Sequence, residues 1–252
     1  MADHPSFSLA AYCATIRAGR EAGYLFFTFG ELADDAAGGE RQCLLRHDVD
    51  VSMEYALAMA RAEAEEGVRS TYFLMLRSPA YNLLGRHSAL AVREMVSLGH
   101  EIGVHFDAEH PLVKPETLVD QVLVEAAMVG DLAGREVKAV SFHQPSRQIL
   151  EQRLIVPGLI NTYNQDQLAG WHYVSDSNRS WKTKSGLELF REAEHPKIQL
   201  LVHPMWWVCE AQATDQVWDE AIKSNFELMQ RQFLDTERAY GVRRSITLTR
   251  GS

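Results

Sequence analysis

Short apolar stretches alternate with helical patterns along most of this chain, and this alternation constrains its fold more than any other feature. The strand-like stretches read QCLLRH, VRSTYFLML, HEIGVH, VKAVSFH, GLINTYN, WHYVSDS and IQLLVHP. Strands that alternate with helices at this pitch form a parallel sheet with helices outside it. About seven such strands predict an α/β fold, a distorted or incomplete (β/α) barrel.

Helix-capping residues mark the helical segments that separate these strands. Ser, Pro or Gly stands at the expected ends of three of them, and a long helix closes the chain. The limits are Ser52 and Gly67 for the first helix, Ser88 and Gly99 for the second, Pro115 for the start of the third, and Thr214 to about Tyr240 for the last.

The composition favours a soluble globular protein and excludes several classes of partner. The 252 residues contain no repeat or linker-like tract, so we expect one domain over residues 1–252, with the N-terminal 40 residues and the last helix packed on the barrel. The net charge of −9 disfavours nucleic acid and anionic membranes as partners. No apolar run is long enough to cross a bilayer. MADHPSFSLA has no secretory pattern and the three cysteines form no CxxC pair, so we expect a cytoplasmic location.

Polar residues follow the apolar part of five of the predicted strands. These endings read LLRHDVD, EIGVHFD, AVSFHQPS, HYVSDS and QLLVHP. In parallel α/β folds the carboxyl ends of the strands meet at one rim, where the active site lies. We therefore expect four histidines and four aspartates from distant parts of the chain to share one cleft.

A cleft of histidines and aspartates favours metal-assisted hydrolysis. A divalent ion such as zinc takes about three protein ligands and keeps one position for water. A further carboxylate can then act as general base towards that water. The two aspartates of RHDVD suit this division of roles. The chain contains no Walker loop, GxGxxG stretch or serine elbow, each of which would indicate another chemistry.

The motifs RHDVD, STYF, GHEIGVHFD, SFHQPS and LLVHP occur in this order between about Cys43 and Trp207. In this order they resemble the polysaccharide deacetylase superfamily, also called NodB-homology or carbohydrate esterase 4-like. The pairing of TYF with GHEIGVH one helix later is the most specific part of the resemblance. The resemblance implies a distorted (β/α) barrel and the metal-dependent removal of an N-acyl group from an amino sugar.

The resemblance also implies roles for individual residues. Asp48 matches the general base of the first motif, and Asp50 matches the metal-binding aspartate of its D-x-D form. His105 matches the first histidine of the second motif, a metal ligand. His203 in LLVHP matches the general acid that protonates the leaving amine. The implied cofactor is one divalent ion, with zinc as the first choice and cobalt, manganese and nickel as alternatives.

The third metal ligand is open at the level of the sequence. The family spaces its two histidines four apart, but the next histidine here is His110, five residues after His105. His110 precedes Pro111 on a loop and reaches the ion only if that loop bends back. His143 stands where the family has an arginine, and at a strand end it should point towards the cleft centre. We expect His143 to be the third ligand, with His110 as the alternative.

Four further residues are candidates for substrate binding. Trp206 and Trp207 directly follow the LLVHP motif, and sugar rings stack on aromatic faces. Core packing is the equal alternative for both. Asp176 and Arg179 in SDSNRSW can hold sugar hydroxyls or an acidic group, or else they form a solvated turn.

Two histidines are expected to be structural. His47 lies within the first motif, where it can orient Asp48 or pack beneath the cleft. His100 begins a strand, at the end opposite the rim.

The sequence thus predicts a metal-dependent deacetylase or amidase that acts on an N-acyl sugar. A cytoplasmic enzyme would use nucleotide-linked or lipid-linked sugar precursors of a surface polysaccharide. Two alternatives remain at this level: a glycan-binding relative that has lost catalysis, and another metal-dependent C–N hydrolase on the same fold. The oligomeric state does not follow from the sequence.

Overall fold

The chain folds into a parallel sheet with helices packed against it. The computed structural model describes residues 7–34, 38–237 and 240. Within these residues the strands are β1 (Tyr24–Phe27), β2 (Arg41–Val49), β3 (Thr71–Leu74), β4 (Glu101–Phe106), β5 (Ala139–Phe142), β6 (Ile160–Asn161), β7 (His172–Ser175) and β8 (Lys197–Val202). The helices are α1 (Leu9–Glu21), α2 (Phe29–Ala33), α3 (Met53–Glu65), α4 (Arg86–Ser97), α5 (Leu118–Ala133), α6 (Arg147–Glu151), α7 (Gly186–Glu192), α8 (Pro204–Val208) and α9 (Thr214–Thr236).

Seven strands form a curled sheet in the order β6-β5-β4-β3-β2-β8-β7, and β1 pairs with the first half of β2. All of these pairings are parallel. Among the described residues no pairing joins β6 to β7, so the barrel stays open on that side. Across the gap, the Gln199 side chain donates to the carbonyl oxygen of Thr162 at 3.1 Å. The expected fold, an incomplete (β/α) barrel of about seven strands, is confirmed.

Strand β2 lies at the centre of the sheet and is buried on both faces. Its side chains alternate between the barrel interior and the helices outside, as in any strand. One set packs with Phe73 inside the barrel, and the other packs against α1 and α7. The inward set is Leu44, Arg46 and Asp48, and the outward set is Cys43, Leu45 and His47.

The predicted helix limits hold at both ends of α3 and at the Gly99 end of α4, but the predicted start of α4 at Ser88 is wrong. Ser52 caps α3, since its hydroxyl accepts from the backbone N–H of Tyr55 at 3.3 Å. Helix α4 instead begins at Arg86, and Ser88 is buried inside its first turn. The reason is a tight turn in which the N–H of Gly85 donates to the carbonyl of Asn82 at 3.0 Å, so that the chain enters the helix earlier.

The strand predicted from GLINTYN is reduced to the two residues of β6. The side chain of Asn161 accepts from the backbone N–H of Tyr163, and that of Asn164 accepts from the N–H of Asp166. Asparagine side chains that bond to nearby backbone groups compete with sheet pairing and turn the chain. The pairing therefore ends after Asn161.

The two ends of the chain contribute elements that the sequence pattern left undefined. Helix α1 packs against α7, and β1 extends the sheet beside β2. Helix α9 ends at Thr236, whereas the sequence predicts a helix to about Tyr240; residues 238 and 239 lie outside the described residues. The first six residues of MADHPSFSLA also lie outside them. No described helix combines the length and apolarity that crossing a membrane requires.

A buried carboxylate connects α3 to the outer face of the sheet. Glu63 on α3 is fully buried, and its Oε1 lies 2.6 Å from Nε2 of His47. Its Oε2 accepts from Ser70 at 2.7 Å and from the Tyr72 hydroxyl at 2.9 Å, and the Tyr12 hydroxyl also donates to Glu63. Burial alone would raise the pKa of Glu63, but the charge and hydrogen bond of His47 outweigh it, and the pKa falls to about 2.

His47 and His100 both have structural contacts in this cluster. The other ring nitrogen of His47, Nδ1, lies 3.1 Å from the carbonyl oxygen of Val202. His100 lies with Nδ1 at 3.5 Å from Glu63 and Nε2 at 2.9 Å from the carbonyl of Ala60. His47 therefore packs beneath the cleft and does not contact Asp48 through any of these bonds.

Replacing Glu63 by alanine should strongly destabilise the fold. The change leaves four buried polar groups without their acceptor, and breaking a buried ion pair on one side costs about 3–5 kcal/mol. Chemical denaturation at pH 7 should show a loss of this size. Glu65→Ala, on the exposed face of the same helix, is the control and should change the free energy of unfolding by less than about 0.5 kcal/mol.

The contacts of Glu63 should make the free energy of unfolding depend on pH, with stability lost as the solution becomes acidic. The folded-state pKa of Glu63 is about 2, below its ordinary value of 4.5. The stabilisation is therefore fully present above about pH 4.5 and is lost as the pH falls towards 2. The difference in unfolding free energy between wild type and Glu63→Ala should shrink over that range. A difference that stays constant down to pH 2 would contradict an ionised Glu63.

Candidate active site

A cavity of about 1770 Å³ opens at the carboxyl ends of the strands. Its lining includes polar side chains at or just beyond the carboxyl ends of β2, β4, β5 and β8. They are Asp48, Asp50, His105, His143 and His203. The expected convergence of strand-end residues occurs in part: three of the four histidines and two of the four aspartates line the cavity, whereas His47, Asp107 and Asp176 do not.

Asp50, His105 and His143 bring three ligand atoms together. Oδ1 of Asp50 lies 3.1 Å from Nε2 of His105 and 3.1 Å from Nδ1 of His143, and the two nitrogens are 3.3 Å apart. Strand pairing fixes the two rings side by side, because the N–H of His143 donates to the carbonyl of Phe106 and extends the β4–β5 pairing by one residue. Among the described residues this is the group whose His and carboxylate atoms can hold a metal ion.

The triangle formed by these three atoms fits a tetrahedral metal ion. Ligands about 2.0–2.1 Å from zinc, at tetrahedral angles, lie about 3.3 Å from one another. The observed separations of 3.1–3.3 Å match one face of such a tetrahedron. Two imidazoles and one carboxylate are also a ligand set that zinc uses when it keeps an open position.

His110, the alternative third ligand, lies outside this cluster. Its Nδ1 accepts from the backbone N–H of Leu112 at 3.2 Å, which holds the ring in its own loop. The metal-binding group of the described residues contains His143 instead. The geometry thus supports the preference for His143.

Asp48 is buried beside this cluster and pairs with Arg46 of the same strand. Oδ2 of Asp48 accepts from Arg46 at 2.8 Å and from Ser141 at 3.1 Å. Its Oδ1 is buried without a protein hydrogen-bond partner among the described residues. Burial would raise the pKa of Asp48, but Arg46, followed by His105 and His203, outweighs burial and lowers the pKa below its ordinary value. Asp48 is therefore an ionised carboxylate, and one of its buried oxygens has no hydrogen-bond partner among the described residues.

Arg46 is held in place from several sides. Its guanidinium is fully buried and also donates to Ser141 at 2.9 Å and to the Tyr163 hydroxyl at 3.1 Å. The guanidinium carbon lies 4.9 Å from the centre of the Tyr163 ring, a cation–π distance. Arg46 thus fixes both the charge and the orientation of Asp48.

His203 is oriented by a buried aspartate. Nδ1 of His203 donates to Oδ1 of Asp176 at 2.6 Å, and the backbone N–H of His203 lies 3.1 Å from both carboxylate oxygens. Nε1 of Trp207 donates to Oδ2 of Asp176 at 2.7 Å. Burial lowers the pKa of His203, but Asp176, followed by Asp50 and Asp48, outweighs burial and raises the pKa to about 9. These carboxylates therefore favour the protonated form of His203.

Three of the four residues expected to bind substrate have other contacts. Asp176 is fully buried, so its carboxylate orients His203 and cannot reach a sugar hydroxyl. Arg179 donates to the backbone carbonyls of Ala211 and Gln212, which ties two loops together. Trp207 is 4% exposed and packs against Phe7. Trp206 is also 4% exposed, but it lines the cavity and therefore remains a candidate for substrate contact.

The sequence pattern indicated some of these partners and missed others. Asp176 lies in the strand ending HYVSDS, and this position predicted that it would lie at the rim. The pattern did not predict its bond to His203. Arg46 stands two residues before Asp48, so both face the barrel interior, and this spacing was a usable signal. Nothing in the local sequence indicated that Tyr163 or α9 would reach the cavity, since both come from distant parts of the chain.

Metal binding should depend on His143 and not on His110. Zinc affinity, measured by titration of the apo protein against a competing chelator, should fall by more than about tenfold in His143→Ala, since loss even of a ligand's supporting hydrogen bond costs 10–100-fold. His110→Ala is the matched control and should bind zinc like the wild type. Asp50→Ala should lose most of the metal while the fold persists. Equal zinc affinity of the two histidine variants would contradict the assignment.

No protein-family model matches the chain, and no curated protein matches it. Solved structures match at low sequence identity. The wild-type CE4-family pseudoenzyme from Bacillus anthracis is 16% identical, with a TM-score of 0.42 over 76% of this chain and 63% of that one. A family 4 carbohydrate esterase from Bacillus anthracis is 16% identical, with a TM-score of 0.44 over 86% of each chain. A Streptococcus pyogenes deacetylase, solved with acetate, is 11% identical, with a TM-score of 0.44 over 84% of this chain and 85% of that one.

The chain spans 63–65% of the length of the pseudoenzyme structures that it matches. At these identities and TM-scores, a function for this chain has to be argued from its own side chains. The solved structures to which the chain is similar are thus of the carbohydrate esterase family 4 and deacetylase kind that its motifs also resemble.

Proposed function

We propose that this protein is a metal-dependent hydrolase of amide bonds that removes an N-acyl group from an amino sugar. One observation carries the proposal: the Asp50, His105 and His143 triangle lies in the same cavity as the Asp48 carboxylate, held by Arg46, and the His203 ring, held by Asp176. An amide hydrolase needs a base on the side of the attacking water and an acid on the side of the departing amine. Both groups are present.

The three-residue cluster would hold one divalent ion, with zinc as the first choice. A bound ion of this kind lowers the pKa of water and polarises a carbonyl oxygen. Asp48 takes the proton from the attacking water at its unpartnered Oδ1, while Arg46 and Ser141 hold Oδ2 in place. His203 then gives the proton on Nε2 to the departing amine, because its Nδ1 proton is held by Asp176.

We further propose that the substrate is a nucleotide-linked or lipid-linked sugar precursor of a surface polysaccharide, and that the enzyme is cytoplasmic. The acidic net charge of −9 and the cysteines without CxxC pairs support a soluble enzyme in a reducing compartment. The alternative of a glycan-binding protein without catalysis was motivated by the altered histidine spacing after His105. The position of His143 in the triangle supports a complete ligand set and so favours the enzyme over that alternative.

The two catalytic roles can be separated with two kinds of substrate. Asp48→Asn should keep the metal and lose about 10²–10⁴-fold in the rate of amide hydrolysis, which is the usual contribution of a general base. His203→Ala should abolish hydrolysis of N-acetyl amino sugars and spare an activated aryl acetate, whose leaving group needs no proton. Both rates should be measured on zinc-loaded protein with verified folding. Equal losses of His203→Ala on the two substrates would contradict acid catalysis.

Asp176 should act through His203. Asp176→Asn keeps the size of the side chain but removes the charge and presents an amide that favours the wrong tautomer of the imidazole. In a serine protease the corresponding change costs about 10⁴ in kcat, and we expect a loss of at least about 10² on the amide and a much smaller loss on the aryl acetate. Asp166→Asn, at an exposed carboxylate, is the control and should leave both rates unchanged. A variant with equal losses on both substrates would assign Asp176 to the fold alone.

A further inference from the structure

Helix α9 presents a row of large apolar side chains to the active-site cavity. Trp218, Ile222, Phe226 and Met229 follow one another at helical spacing and all line the cavity. We call these four residues the α9 stripe. Trp218, Ile222 and Met229 are 41%, 52% and 43% exposed, so the described residues leave about half of each side chain uncovered. Their positions span eleven residues, about 16 Å along the helix axis.

The α9 stripe is separate from the face by which α9 packs on the protein. Val217 and Ala221 are fully buried and anchor the helix to the core. The stripe lies about a quarter of a turn further around the helix, because each of its first two residues follows one of these by a single position. Core packing therefore does not account for the stripe.

The α9 stripe is continuous with the candidate metal site. The side-chain amide of Asn225 donates to the carbonyl oxygens of Val51 at 2.7 Å and Ala80 at 3.1 Å. Val51 is the neighbour of Asp50, so α9 is fastened one residue from a proposed metal ligand. At the start of the stripe, the ring of Trp218 lies 5.9 Å from that of Trp206.

The shape and chemistry of this region favour an alkyl chain over a sugar or a protein. Residues 79–82 and 168–171 line the same cavity, so the stripe is one wall of a concave site rather than a flat face. Sugar hydroxyls need hydrogen-bond partners, but the stripe residues are a tryptophan, an isoleucine, a phenylalanine and a methionine. The Asn225 amide beside them is already bonded to two carbonyls.

We propose that the substrate of this site is amphipathic and that its alkyl or isoprenoid chain lies along the α9 stripe while its amide reaches the Asp50, His105 and His143 cluster. The inference rests on the proposed amide hydrolysis and narrows its substrate class. The chain can belong to the group attached to the sugar, as in a lipid-linked sugar, or to the N-acyl group itself.

Two series of glycosides of N-acylated glucosamine test the proposal. The first keeps the acetyl group and varies the aglycone from methyl through hexyl to dodecyl. The second keeps the methyl aglycone and varies the acyl group from acetyl through hexanoyl to dodecanoyl. For each compound, kept below its micelle concentration, Kd is measured by calorimetry and kcat/KM on zinc-loaded protein. In one of the two series, Kd should fall and kcat/KM should rise roughly twofold for each added CH₂ group. Full burial of a CH₂ group gives about fourfold, and the α9 stripe is about half exposed.

Ile222→Ser and Ile155→Ser form the matched pair of variants. Both isoleucines are exposed, at 52% and 71%, so neither change should affect folding, and Ile155 does not line the cavity. Ile222→Ser should weaken the dodecyl or dodecanoyl compound by about tenfold and should affect the methyl N-acetyl compound, which has no long alkyl chain to reach the stripe, far less. Ile155→Ser should behave like the wild type with both.

The outcomes separate this inference from the proposed function. Turnover without any dependence on chain length would overturn the inference and leave amide hydrolysis standing. Binding that strengthens with chain length, without turnover, would support the apolar site and overturn the hydrolysis. A dependence on chain length that is as steep in Ile222→Ser as in the wild type would place the alkyl chain elsewhere. The oligomeric state should also be measured, by sedimentation. If the wild type is a dimer, Ile222→Ser dissociates it and binding does not depend on chain length, then the stripe is a contact between two copies of the chain.

Discussion

The burial of charge on the central strand is the constraint on which the rest of this structure depends. Arg46, His47 and Asp48 are consecutive on β2 and are at most 2% exposed. A buried ionised group costs several kcal/mol unless it is paired and hydrogen-bonded. Four elements around β2 supply compensating groups: Ser141 from β5, Tyr163 from the segment after β6, Glu63 from α3 and the Val202 carbonyl from β8.

The alternation of β2 divides these charges between two tasks. The inward pair, Arg46 and Asp48, faces the barrel interior, where one carboxylate oxygen of Asp48 is left without a protein partner. The outward residue, His47, faces α3 and joins Glu63 in a network of buried polar groups. The outer network stabilises the packing of α3 on the sheet. The inner pair keeps an ionised carboxylate at the rim, where the proposed chemistry needs it.

The same logic applies across the rim. Asp50 and Asp176 each place a carboxylate beside histidines, Asp50 beside His105 and His143, and Asp176 beside His203. Asp176 is saturated by donors from His203 and Trp207, whereas Asp50 is partly open to the cavity. The saturated carboxylate positions a neighbouring ring, and the open one suits a metal ion. Burial and hydrogen-bond count thus distinguish two aspartates that look alike in the sequence.

The sequence by itself determined the fold class and most of the rim. The period of apolar residues sets strands and helices, and parallel strands bring their carboxyl ends to one rim, so Asp48, Asp50, His105, His143 and His203 could be placed together before any coordinates. Only the tertiary structure decided which of these side chains touch. The bonds from Asp176 to His203, from Glu63 to His47 and from Arg46 to Tyr163 join residues 16 to 117 positions apart. Such pairings depend on sheet order, crossovers and loop closure, which local periodicity does not encode. Periodicity likewise predicted the helix α9. The contact of its apolar side chains with the cavity depends on how the helix packs on the barrel.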